Sequence, residues 1–146
     1  MYAAVSDITA AFPTAQWDPT RHEPGTATVE GWLDDASDHL DGQLANVVEV
    51  PVDETDSPHL YQLCRGIVAR RVQADVYDAK WPPKPSEPVT TRQSQVWRGL
   101  AEDDLERILA GAIADGVAAS GPTDRTTKPS SYFGGGTFPE HRERKW

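Results

Sequence analysis

The stretch that decides the fold is residues 28–44, TVEGWLDDASDHLDGQL. Apolar side chains recur there at three- and four-residue steps, which is the spacing of a helix with one buried face. These side chains are Val29, Trp32, Leu33, Ala36, Leu40 and Leu44. The opposite side is acidic, and residues 26–56 contain nine Asp and Glu but no Lys or Arg. The pattern predicts a helix over about 26–44 that packs on one side and presents negative charge on the other. It favours an assembly or interaction protein over an enzyme.

Two further helices are predicted before residue 80. A short one runs from Ser6, as its cap, to Phe12. A long one opens with Ser57 as N-cap and Pro58 at the first helical position, and ends near Tyr77. Its predicted buried stripe is Leu60, Leu63, Cys64, Ile67, Val68, Val72 and Val76.

A fourth helix is predicted from about Thr91 to Ala118, after a rigid proline-rich linker at 81–90. Its predicted buried stripe is Trp97, Leu100, Leu105, Ile108, Leu109, Ala112, Ile113 and Val117. Residues 47–56 have an extended pattern, but Pro51 confines them to a sheet edge or a loop. The sequence thus predicts an all-α fold, a small bundle of three to four helices in a domain over residues 1–118.

The last part of the chain has a different composition. Residues 119–146 are polar, rich in Gly and Pro, and have no periodicity, which predicts a long extended C-terminal arm. Four aromatic residues in this arm are the predicted anchors for a partner surface: Tyr132, Phe133, Phe138 and Trp146.

The charge is unevenly distributed. The net charge is −9 overall, but residues 121–146 carry a net +2 and the rest of the chain −11. An acidic body argues against tight wrapping of nucleic acid, because phosphate binding needs cations. A single cysteine excludes an intrachain disulfide, and we expect a soluble protein of a reducing compartment without signal peptide or membrane span.

Candidate chemistry is weak at every position considered. Asp34, Asp38 and His39 could be imagined as metal ligands, but a solvated acidic face is the better interpretation. Cys64 and His59 do not form a nucleophile–base pair, because Cys64 lies on the predicted buried stripe. The glycines at 134–136 lack the Lys-Ser/Thr of a phosphate-binding loop. We therefore expect no enzyme activity, no metal and no cofactor.

Three arginines form the main basic cluster of the body, Arg65, Arg70 and Arg71. They could face the acidic helix of the same chain, the acidic helix of a neighbouring subunit, or DNA. Trp32 and Trp97 lie on apolar stripes and are expected in the core. Trp17, Trp81 and Trp146 lie outside the predicted helices and are the better interface candidates, although Trp17 could also pin its loop to the core.

The order of short motifs resembles a known family. A start of the form Met-Tyr-Ala-x-Val-x-Asp (1–7) precedes W-L-x-x-A-S-x-x-L-D (32–41), V-P (50–51) and P-x-L-x-x-L-C-x-x-I-V-A-R (58–70). Together they resemble the head–tail connector, or adaptor and head-completion, proteins of long-tailed bacteriophages. The resemblance covers about residues 1–80, with the fourth helix placed as in the family.

The resemblance implies a structural role in the neck of the virion, for a protein made in the host cytoplasm. Family members form a ring, commonly of twelve subunits, beneath the portal protein, and DNA passes through the ring without sequence-specific binding. The far side of the ring receives a stopper or tail-terminator protein. On this reading, Asp34, Asp35, Asp38, Asp41, Arg65, Arg70 and Arg71 are predicted to line the channel or a subunit interface. The alternative is a small acidic binding module, of antirepressor or DNA-mimic type, acting on a basic protein.

Overall fold

The computed structural model describes residues 1–88 and 92–111. Within these residues the chain forms four helices and no strand. The helices are α1 (Val5–Thr9), α2 (Thr26–Leu44), α3 (Pro58–Lys80) and α4 (Gln93–Leu109). This confirms the predicted all-α fold class and the small bundle. The predicted C-terminal arm and its four aromatic anchors lie outside the described residues.

α3 is the central helix, and α1, α2 and α4 all pack against it. Its predicted buried stripe is confirmed except at Leu63, which is only half-buried. Burial of each large aliphatic side chain contributes about 1.5–3 kcal/mol. On α2, the stripe residues Val29, Leu33, Leu40 and Leu44 are fully buried against this core, while Trp32 and Ala36 are half-buried at its edge.

α1 is shorter than predicted and has a different cap. It begins at Val5, after Ala4 as N-cap, rather than at Ser6. The carboxylate of Asp7 accepts the Ala4 N–H at 2.9 Å, so an acidic residue in the first turn binds the free backbone donor instead of the Ser6 hydroxyl. The helix ends at Thr9, and single turns carry the chain on to Phe12.

α4 is also shorter than predicted. It begins at Gln93 and ends at Leu109, so a continuous helix from Thr91 to Ala118 is wrong. Gly111 has φ +71°, a left-handed conformation that glycine adopts without strain after a helix C-terminus. Leu100, predicted to be buried, is 45% exposed, and the neighbouring Ala101 takes the buried position. Residues 112–118 lie outside the described part of the chain.

The α2–α3 connection contains turns and no strand in the described residues, so Pro51 lies in a loop. Ser57 occupies the predicted N-cap position of α3 and Pro58 the first helical position, but the Ser57 side chain makes no capping hydrogen bond. We call residues 45–57 the acidic loop, because Glu49, Asp53, Glu54 and Asp56 are all exposed there.

An aromatic cluster closes the other end of the bundle. Phe12 contacts the rings of Trp17, Trp81 and Trp97 at centroid distances of 5.3–6.1 Å, and Tyr77 contacts Trp81 and Trp97. Trp17 is 1% exposed and its indole N–H donates to the carbonyl of Pro24 at 3.2 Å. Trp17 as an interface candidate is therefore wrong, because it pins its loop to the core.

Candidate functional site

The outer side of α2 carries the charges that the sequence singled out. Asp34, Asp35 and Asp38 are exposed, and none of their side chains forms a hydrogen bond or ion pair with another residue of the described chain. We call these three residues the acidic face. Because they lie within about one turn of each other, their negative potential adds over a small area of surface.

Asp41 differs from the acidic face, because it is half-buried and accepts the phenol O–H of Tyr2. The same phenol oxygen accepts the backbone N–H of Val52 at 2.8 Å. Burial and then the hydrogen bond to Asp41 raise the pKa of Tyr2 above its ordinary value. Tyr2 therefore ties the start of the chain to α2 and to the acidic loop, and Asp41 has a role inside the fold.

The three predicted arginines bind within the chain, but not to the acidic face. Arg65 forms a two-bond pair with Asp7 of α1, at 3.1 and 2.6 Å. Arg70 pairs with Asp104 of α4. Arg71 donates to Glu102 of α4 at 3.0 Å and to Gln43, its only hydrogen-bond partner on α2, also at 3.0 Å. Of the three alternatives, pairing with the acids of α2 in the same chain is wrong, because these side chains pair with carboxylates of α1 and α4.

Charges of opposite sign match along the whole contact between α3 and α4. At the middle of α3, the cations Arg70 and Arg71 meet the anions Asp104 and Glu102 of α4. Nearer the C-terminus of α3 the signs reverse. Asp75 and Asp78 there accept from Arg98 at 2.8 Å each. We call these pairs, together with Arg92, the ion-pair ladder.

Arg92 is the most enclosed member of the ladder, with a side chain that is 4% exposed. Its guanidinium donates to Asp78 at 2.9 Å, to Glu87 at 2.6 Å and to the carbonyl of Trp81 at 2.5 Å. It also lies 5.3 Å from the ring centroid of Tyr77. Arg92 thereby holds the α3–α4 linker against the aromatic end of the bundle.

The pKa of Asp78 reflects its position in the ladder. Burial by itself raises this pKa, but hydrogen bonds that include those from Arg98 and Arg92 outweigh burial and hold the pKa below its usual value. Similarly, the Arg65 guanidinium lowers the pKa of Asp7. Both carboxylates are thus held in the charged form by partners inside the fold.

The candidate chemical groups lie apart or are enclosed. Cys64 is fully buried, and burial followed by the charge of Asp41 raises the pKa of its thiol to about 12. His59 is exposed at the first turn of α3. Within residues 1–88 and 92–111, no group of three or more His, Cys, Asp and Glu is arranged to hold a metal ion. No helix in this part of the chain has the length and apolar character needed to cross a bilayer.

Two open grooves flank α3. One has a volume of about 550 Å³ and runs between α2 and α4, with Trp32, Asp35, His39 and Arg71 in its lining. The other, of about 680 Å³, lies at the aromatic end. We call the second one the aromatic groove; it is lined by Ala11, Phe12, Pro13, Gln16, Tyr77, Lys80, Trp81, Gln93 and Trp97.

Sequence reasoning missed the ion-pair ladder and the aromatic groove. The signal for the ladder was present, because Arg70 and Arg71 precede Asp75 and Asp78 on α3. On α4 the cation Arg98 likewise precedes the anions Glu102 and Asp104, which is the order that an antiparallel pair requires. The groove had no comparable signal, because its residues come from three separate parts of the chain, 11–16, 77–81 and 93–97.

Comparisons with models of protein families, with curated proteins and with solved structures found no match to this chain.

Proposed function

We propose that the chain is a structural head-to-tail adaptor of a tailed bacteriophage. In this proposal it forms a ring, of twelve subunits as in the family it resembles, between the portal protein and a stopper or tail-terminator protein. DNA passes through the ring, and the chain itself catalyses no reaction. The C-terminal arm, with Tyr132, Phe133, Phe138 and Trp146, docks on the portal.

The proposal is carried by a difference between the arginines and the acidic face: the arginines are paired within the described chain and the acidic face is not. Every arginine of the described residues has a carboxylate within 4 Å inside the chain, whereas the acidic face has no cationic partner there. Exposed acids add little to the stability of a fold. A surface of this kind is therefore better explained by what passes or binds outside the chain than by the fold itself.

A ring of such subunits supplies a physical reason for the acidic face. Copies arranged around an axis with this face inward would give the channel a negative potential. DNA phosphates gain no counterion release on such a wall, so the duplex does not adsorb to it and slides freely. The ion pairs agree with this role, because every arginine of the described residues already has a carboxylate within 4 Å inside the chain.

The same acidic face also supports the alternative of a small binding module that occupies a basic groove on one protein partner. The two proposals differ in stoichiometry. An adaptor associates with copies of itself and with a portal ring, whereas a binding module remains a monomer and forms a one-to-one complex. The mass of the protein in solution, with and without portal protein, separates them.

A direct test uses purified portal rings, the full chain and a variant lacking residues 121–146. The full chain is expected to saturate the portal with one ring, seen by electron microscopy and by mass. The truncated variant is expected to keep its helical circular dichroism and to lose portal binding. An Arg107→Ala variant, altered at an exposed side chain of α4, is the matched control that should bind normally.

Two outcomes contradict different parts of the proposal. Normal portal binding by the truncated variant would show that the arm does not dock. Absence of the full chain from the neck in images of assembled virions would remove the adaptor role altogether.

A further inference from the structure

The aromatic groove differs from the rest of the surface in its charge. Among the described residues that line it, Lys80 is the only charged one, and Lys84 follows in the adjoining linker. In the described part of the chain, these two lysines are the only cationic Lys or Arg side chains without a carboxylate within 4 Å. An acidic protein thus has one lysine without a carboxylate partner in the lining of the aromatic groove, and a second one four residues further along the chain.

Two exposed apolar side chains lie on α4 within three residues of Trp97, which lines the groove. Val96 and Leu100 are 46% and 45% exposed, and they lie one turn apart on α4 beside Trp97 of the groove. Large exposed apolar side chains that adjoin a groove mark an interaction surface more often than isolated ones do. The partner must therefore offer both apolar and acidic groups.

The acidic loop has this composition and lies at the opposite end of the molecule. Its exposed residues combine Pro51 with Glu49 and Glu54, and no Lys or Arg occurs within it. The loop is also held in place before binding, because the Val52 N–H donates to the Tyr2 phenol oxygen. A fixed loop loses little conformational freedom when it binds.

The loop and the groove of one chain cannot meet. The acidic loop precedes the first residue of α3, and the groove lies at its last turn. A helix of 23 residues with a rise of ~1.5 Å per residue separates them by roughly 33 Å. The two ends of one chain therefore cannot pair with each other, whereas a second copy of the chain can bring a loop and a groove together.

We propose that the acidic loop of one subunit docks in the aromatic groove of the next, with Pro51 against the aromatic rings and the loop carboxylates beside Lys80 and Lys84. The contact joins two different surfaces, so repetition closes a ring or extends a filament. This inference rests on the proposed ring for its biological meaning and names the surfaces that build it. Opposite charges at such a contact fix register and partner choice.

The test reverses the charge of the aromatic groove in one full-length variant and the charge of the acidic loop in another. One variant carries Lys80→Glu and Lys84→Glu, and the other carries Glu49→Lys and Glu54→Lys. Each variant alone is expected to self-associate about tenfold more weakly than the unmodified chain at low ionic strength, measured by sedimentation. An equimolar mixture of the two is expected to regain association, because the loop of each variant then carries a charge opposite to that of the other variant's groove.

Two control variants make the same change of charge elsewhere. Arg107→Glu on α4 and Glu30→Lys on α2 alter exposed residues outside both ends, and both should associate as the unmodified chain does. Circular dichroism of all four variants shows that the helices remain. Added salt should weaken the unmodified contact and leave the controls equal to it.

Three results would overturn the inference. The unmodified chain could remain a monomer at low ionic strength. The reversed variants could associate normally, which would place the subunit contact elsewhere and leave the ring proposal intact. Finally, Lys80→Glu could alter protease cleavage within residues 112–146 without altering the mass, in which case the groove takes the C-terminal segment of its own chain.

Discussion

The ion-pair ladder and the acidic face show two opposite uses of charge in one small bundle. In the ladder, cations and anions alternate in blocks so that α3 and α4 match in only one antiparallel register. On the acidic face, three carboxylates of one sign stand together without a partner in the described chain. The first arrangement specifies the fold, whereas the second is available to molecules outside it.

The two regions also differ in what a change of charge should do. A slip of α4 by two turns along α3 would place like charges side by side, which opposes that alternative packing. Loss of charge on the acidic face changes no contact within the described bundle. Substitutions that compare the two regions therefore separate stability from function.

The largest effect is expected at Asp78. Replacing Asp78 with Ala leaves the enclosed Arg92 with fewer partners, and we expect the free energy of unfolding to fall by about 3 kcal/mol. Urea denaturation followed by circular dichroism measures this loss. Asp34→Ala, the same substitution on the acidic face, is the control and should leave the midpoint unchanged. Equal losses in the two variants would refute the proposed difference between the regions.

An intermediate effect is expected at Tyr2, where one carboxylate of α2 is used inside the fold. Tyr2→Phe removes the hydrogen bonds to Asp41 and Val52, and should lower the free energy of unfolding by about 1–2 kcal/mol at pH 7.

The same substitution has a defined pH dependence. The pKa of Tyr2 is raised in the folded chain, so above about pH 10 the unfolded chain loses the phenol proton while the folded chain keeps it. Stability from Tyr2 is thus complete below pH 10 and declines as the pH rises further. The gap between the unmodified chain and Tyr2→Phe should narrow there, and a constant gap up to pH 11 would contradict the assignment.

The smallest effect on stability is expected on the acidic face. A double variant with Asp34→Asn and Asp38→Asn should change the free energy of unfolding by no more than about 0.5 kcal/mol, because both side chains are exposed and unbonded in the described chain. Its effect should appear instead in function, as slower DNA passage or weaker partner binding. A loss of stability above 1 kcal/mol would show that these acids serve the fold.

Much of the fold could be predicted from helical periodicity. The bounds of α2 and the start of α3 at Pro58 follow from apolar spacing and from proline at the first helical position. The end of α4 could not be predicted in this way, because apolar residues continue beyond Leu109 with helical spacing while Gly111 turns the backbone. The helix therefore ends where the backbone of Gly111 becomes left-handed, although the apolar spacing of the sequence continues.

Positions in space were harder to predict than helices. The acidic α2 of the same chain was one of the partners considered for Arg65 and Arg70, but ion pairing depends on the rotation of each helix about its axis, which a sequence does not state. Trp17 lies in a loop rich in Pro, where no periodicity marks a buried residue. The exposed state of Asp34 and Asp38, by contrast, followed directly from their place opposite the apolar stripe.

The ladder also bears on the order in which the molecule is made. Its pairs join residues between 14 and 34 positions apart, so α3 and α4 can find each other through short loops as soon as both exist. Residues 1–57 emerge from the ribosome before α3, and the apolar stripe of α2 then lacks the central helix against which it packs. The residues before α3 must therefore wait for α3 and α4, and that interval is when a nascent chain of this design is most exposed to aggregation.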